Sequence, residues 1–92
     1  MKQLMARISG RVQGVWFRAT TQRQAQALGI TGYVRNLTDG RVEILAQGGD
    51  QAVDTLMDWA HHGPATASVD EVLISDYDGS DLYLDFEISD EG

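Results

Sequence analysis

Cysteine is absent from these 92 residues. Its absence excludes disulfides and thiolate metal sites, and leaves the redox compartment open. No apolar run approaches the roughly 18–20 residues of a membrane span. The start, Met1-Lys2-Gln3-Leu4-Met5-Ala6-Arg7, lacks the apolar core of a secretory signal. The cytoplasm is therefore the expected location. No acidic residue precedes Asp39, whereas Lys2, Arg7, Arg11, Arg18, Arg23 and Arg35 do. From Asp39 onward stand all 14 acids, against Arg41 alone among lysines and arginines. A cradle for an anion would therefore draw its cations from the first 38 residues; the alternative is a chance asymmetry on a solvated surface. The net charge of −7 argues against nonspecific nucleic-acid binding. The length suits one domain over 1–92, and an apolar content of 42% suits a globular core. A chain of this size buries about 60–65% of its unfolded surface, enough for one core without staples.

Hydrophobic spacing orders the chain. Leu4, Ala6 and Ile8 alternate with Met5 and Arg7, a strand pattern over 4–8. Phe17, Thr21, Ala25 and Leu28 recur at helical spacing, and Gly29 suits the helix end. A strand is expected over 30–37, with Gly32, Val34 and Asn36 on one face and Tyr33, Arg35 and Leu37 on the other. Thr38-Asp39-Gly40 reads as a hairpin turn. Val42, Ile44 and Ala46 alternate with Glu43, Leu45 and Gln47 in a third strand. Asp50 is the expected N-cap of a second helix, with Val53, Leu56, Met57 and Ala60 as its apolar stripe. Gly63-Pro64 ends it. Val69, Val72 and Ile74 make a fourth strand whose parity shifts once, as at a bulge. After the Asp78-Gly79 turn, Leu82, Leu84, Phe86 and Ile88 alternate in a fifth strand. The acidic tail, 89–92, is expected to fray. The order points to an α+β sandwich of the split βαβ, ferredoxin-like type. Its antiparallel sheet has four to five strands, with two helices on one face.

Residues 10–18, Gly-Arg-Val-Gln-Gly-Val-Trp-Phe-Arg, carry the chemistry. A glycine-bearing turn from strand to helix aims backbone N–H groups at one point, and the positive end of the helix dipole faces the same point. Arg18 adds a forked, permanent cation. Such an arrangement cradles an oxyanion such as phosphate. An arginine at a helix start is otherwise misplaced, because the dipole there is already positive. No acid lies nearby in sequence to pair with it, and an anionic ligand would resolve both problems. Asn36 shares the face of Val34 near a strand end. A buried amide without partners costs roughly 1–3 kcal/mol, so it either fixes the turn that follows or acts on a ligand. Both readings stay open on sequence grounds.

Gly10 to Arg18, with Gly32-Tyr-Val-Arg-Asn36 and Asp39-Gly-Arg-Val-Glu43, resembles the acylphosphatases. The likeness runs nearly end to end, through Ala27-Leu-Gly29 and Gly63-Pro64. It implies hydrolysis of the carboxyl–phosphate bond of an acyl phosphate to a carboxylate and inorganic phosphate. By the resemblance, Arg18 holds the phosphoryl group and Asn36 positions the attacking water. The backbone N–H groups of Gln13, Gly14, Val15, Trp16 and Phe17 would bind the phosphoryl oxygens. It further implies no cofactor and no metal, a small-molecule acyl phosphate as the partner, and neither nucleic acid nor membrane. Ala65 stands where many relatives carry a second proline, and Trp16 occupies a variable position. Neither departure touches the two roles.

Other residues read more plainly. His61 and His62 point to different sides of their helix, and a cation suits its C-terminal end; Asp58 and His62 alone do not make a zinc site. Asp54, Asp58, Asp76, Asp78, Asp81 and Asp85 read as solvated. Arg35 and Arg41 read as surface cations, and Glu43 as a cross-hairpin partner or a solvent-facing acid. Trp16 either walls the site or shields the edge of the core. The competing function is a non-catalytic anion- or RNA-binding module of the same topology. Tyr33 is its weak aromatic candidate, and the net charge opposes RNA. A maturation-enzyme domain usually fused to larger units is a third reading, and the end at Gly92 is expected to leave this domain free-standing. The acidic second half favours a soluble monomer.

Overall fold

Four strands of alternating pattern zip into one sheet in the computed structural model, which describes residues 1–89. The elements are β1 (Lys2–Arg11), α1 (Phe17–Ala27), β2 (Thr31–Asn36), β3 (Val42–Gly48), α2 (Asp50–Ala60), β4 (Ser68–Asp76) and β5 (Phe86–Ile88). The strand order is β4-β1-β3-β2-β5. β1 runs antiparallel to both β3 and β4, and β2 antiparallel to β3. One sheet face carries Ala6, Ile8, Val34, Val42, Ile44 and Ala46, all at most 0% exposed, against the stripe of Val53, Leu56 and Ala60 from α2 and Ala25 from α1. The expected parity shift in β4 is present: Ser9 pairs with Glu71 but Gly10 pairs with Val69, so Asp70 is the extra residue.

The last strand departs from expectation. β5 spans three residues and pairs parallel to β2, so the sheet is mixed. β4 ends beside the beginning of β1, and the chain must cross that end of the sheet to reach the far edge. It arrives there pointing as β2 points, so antiparallel pairing is closed to it. Leu82 and Leu84, expected in this strand, lie in the crossing segment at 70% and 93% exposure. Gln47, which is buried, tethers that segment: its Nε2 donates to the Asp81 carbonyl (2.7 Å) and its Oε1 accepts from the Tyr83 N–H (3.0 Å).

The helix ends follow local chemistry with one correction. The Ile30 N–H donates to the Ala25 carbonyl and the Gly29 N–H to that of Gln26, which is the Schellman pattern. Gly49, not Asp50, is the N-cap of α2; Asp50 is the first helical residue, where its charge still meets the positive helix end. His61 follows α2, its Nδ1 2.9 Å from the Met57 carbonyl. Ser89, expected to fray, donates its N–H to the Val34 carbonyl at 2.9 Å. The rest of the expected tail lies outside the described residues. Among the described residues, no helix is long and apolar enough to cross a membrane.

Candidate active site

β1 leaves the sheet at Arg11, and α1 begins at Phe17 after five intervening residues. Within this bend Gly14 and Trp16 take left-handed φ values of 74° and 65°, while Val15 between them does not. Alternation of this kind turns successive N–H groups toward one concavity that suits an anion. No backbone carbonyl among the described residues accepts from the N–H groups of residues 13–17. Trp16 is the N-cap of α1, with no side-chain cap and no acid in the first turn, so nothing in α1 offsets its positive end.

The bend is held from outside. Gln13 Nε2 donates to the carbonyls of Leu37 and Arg41 at 2.8 and 2.9 Å, tying the loop to the β2–β3 hairpin. Thr66 donates to the Val15 carbonyl at 2.7 Å. Asp39 closes the hairpin by accepting from the N–H of Arg41 (3.0 Å) and its Nε (2.8 Å). Phe17 anchors the helix start in the core, 5.6 Å from the ring of Trp59.

A cavity of about 350 Å³ opens beside the bend, lined by Val12, Gly14, Trp16, Phe17, Arg18, Ala19, Asn36 and Ile88. Five of the seven residues singled out in the sequence line it. Gln13 and Val15 do not; they brace the loop through the contacts above. Arg18 joins none of the ion pairs among the described residues. Asn36 Oδ1 is buried, and no protein donor reaches it. A cation and a buried acceptor, both without protein partners among the described residues, thus belong to residues lining one cavity beside open amides. Val12, Ala19 and Ile88 were not foreseen in this wall. Ile88 reaches it only because β5 pairs beside Val34, which no local pattern encodes.

The opposite face of the sheet holds a second cluster. Glu43, 2% exposed, accepts from Arg7 Nε (2.9 Å), Arg35 Nη2 (2.8 Å) and the Tyr33 hydroxyl (2.7 Å). Burial would raise its carboxyl, but these donors outweigh burial and hold it below its ordinary range. Burial, and then the bond to Glu43, push the Tyr33 hydroxyl well above its ordinary value. Glu43 therefore pairs rather than facing solvent, and Arg35 is a structural cation rather than a surface one.

The acylphosphatase family profile matches residues 4–88. The acylphosphatase of Shewanella oneidensis is 48% identical over 89 residues, covering 96% of this chain and 98% of that protein. The crystal structure of acylphosphatase from Bacillus subtilis superposes with a TM-score of 0.91 at 32% identity, over 97% of this chain and 99% of that one. Full-length HypF, in its phosphate- and nucleotide-bound form, contains a similar unit. There the TM-score is 0.87 at 25% identity, over 98% of this chain and 12% of that one. With the fold and the profile in agreement, the chain belongs to the acylphosphatase family.

Proposed function

We propose that this chain hydrolyses acyl phosphates at the cavity beside the β1–α1 bend. The observation that carries the reading is that Asn36, whose buried Oδ1 has no protein donor among the described residues, lines the same cavity as Arg18. An acceptor so placed takes one O–H of a water and turns its lone pair toward phosphorus. Arg18 and the amides of residues 13–17 hold the phosphoryl oxygens, where charge is spread in a loose transition state. Positioning and charge stabilisation then supply most of the catalysis. The leaving group is a carboxylate, whose conjugate acid has a pKa near 4–5, like an Asp or Glu side chain. It departs with the bonding electron pair and needs no general acid. Water adds to phosphorus, the acyl–oxygen bond to phosphorus breaks, and both water protons remain on the product dihydrogen phosphate. The scheme calls for no metal or cofactor. The net charge of −7 supports a small-molecule substrate over nucleic acid.

The test is steady-state hydrolysis of benzoyl phosphate without added metal, comparing the native chain with Asn36→Ala. Turnover by the native chain and its loss in the variant are expected. Undiminished turnover in the variant would remove Asn36 from the mechanism, and an absolute need for Mg²⁺ would remove the metal-free scheme. Phosphate binding without turnover would favour a non-catalytic anion-binding module.

A further inference from the structure

We infer that the mouth of this cavity selects acyl phosphates whose acyl group is apolar, uncharged and about one ring in size. The inference rests on the acyl-phosphate reading and concerns the part of the substrate that Arg18 and the loop amides do not address. Of the eight lining residues, Arg18 alone is charged and Asn36 is the one other polar side chain. Both are taken up by the phosphoryl group and the water. Val12 and Phe17 are each 1% exposed and form the floor. Trp16 and Ile88 instead stand out, at 77% and 41% exposure. Single exposed apolar residues are ordinary, but these two wall one cavity.

Trp16 is also the sole non-glycine residue with positive φ among the described ones, at 65°. That conformation is disfavoured for any residue with a Cβ and is found where the surroundings over-determine it. Here it leaves the indole out of the core, against the cavity. A phosphoryl group held by the bend leaves its acyl group to rest on Trp16 and Ile88. A ring fills that wall, whereas an acetyl group is too short to cover it. An acyl group with its own carboxylate finds no second cation in the lining and meets a chain of net charge −7.

The test compares kcat/KM for benzoyl, acetyl and succinyl phosphate in the native chain, Trp16→Asn, Trp16→Phe and Ile88→Ala. Asparagine tolerates the left-handed conformation, so it removes the indole with least disturbance of the bend. The native chain should prefer benzoyl over acetyl phosphate by about tenfold, the scale of a modest apolar contact, and should disfavour succinyl phosphate most. Trp16→Asn should abolish most of the benzoyl preference, Ile88→Ala should reduce it, and Trp16→Phe should restore it. Inhibition by inorganic phosphate, measured alongside, reports on the bend itself. An unchanged benzoyl-to-acetyl ratio in Trp16→Asn, or a native preference for succinyl phosphate, would overturn the inference while leaving the hydrolase reading intact. So would a rise in the phosphate inhibition constant as large as the loss on benzoyl phosphate, since Trp16 would then act through the bend. Failure of the native chain on all three substrates would instead overturn the hydrolase reading, and this inference with it.

Discussion

Two side chains without protein partners among the described residues, Arg18 and Asn36, line the cavity, and in the proposed function each makes a separate prediction. Losing one preorganised donor from a charge-stabilising site costs about 2.7–4 kcal/mol, roughly 10²–10³ in kcat, and the loss of the acceptor that orients the water is placed on the same scale. Arg18→Ala and Asn36→Ala should each lose at least that much in acyl-phosphate hydrolysis, read from kcat, while circular dichroism stays native. Arg18→Lys should recover little of it, because an ammonium cannot make two parallel bonds to one phosphoryl group. Gly32 shows the opposite case, a residue that matters only for shape. Its φ is 138°, and a Cβ there would overlap the backbone carbonyl of Leu45. Gly32→Ala should destabilise by about 3 kcal/mol in urea unfolding, since backbone strain of roughly 1–3 kcal/mol adds to that overlap. The sequence marked Arg18 as a cation with no local acid and left Asn36 open between an amide that fixes the turn and one that acts on a ligand. That the Asn36 acceptor lies buried without a donor was not legible, because burial depends on contacts from elements distant in sequence, with β5 beside its strand.

At the scale of the elements, β3 organises the sheet. Glu43 faces Arg7 across β1 and Arg35 across β2, a cation–anion–cation row over three strands. Breaking a fully buried pair costs roughly 3–5 kcal/mol. Arg7 and Arg35 keep side-chain exposures of 43% and 33%, so they can rehydrate. Glu43→Gln should therefore destabilise by about 2–3 kcal/mol, below that range. Equilibrium denaturation of the variant checks this. Gln47 fastens the segment that crosses from β4 to β5. Gln47→Leu removes the acceptor of the Tyr83 N–H, so hydrogen exchange at that amide should quicken by at least about tenfold, as expected for a freed loop amide. Alternation placed Glu43 and Gln47 on the face away from the helices. It could not show that the crossing segment ties to Gln47 or that Arg35 pairs with Glu43, so Arg35 read as a surface cation.

The whole molecule resolves the charge asymmetry of its chain. Lys2 pairs with Asp54, Arg7 and Arg35 with Glu43, so cations of the first part meet acids of the second. Arg18 stays out of these pairs and faces the cavity. The pairing makes stability depend on pH with a definite sign. The Glu43 carboxyl is held below its ordinary value of 4.5, so its contribution is present above that pH and is lost as pH falls through the folded value. Tyr33 is raised above its ordinary value of 10.0, so its contribution is complete below pH 10 and is lost as pH rises beyond it. Thermal midpoints measured across pH should decline on both sides. Glu43→Gln should flatten the acid side; an acid limb as steep as that of the native chain would show that other carboxylates govern it.

Local pattern alone was enough to determine the two helices, the first four strands, the inward faces and the loop with its arginine. Each of these is set by residues a few positions apart, where periodicity and turn chemistry act directly. Tertiary structure decided the parallel edge strand, the wall contributed by Ile88, the partners of Glu43 and Gln47 on the outer face, and the meeting of Arg18 with Asn36 in one cavity. These rest on contacts between distant segments and on the direction from which the chain returns, and neither leaves a mark in local spacing.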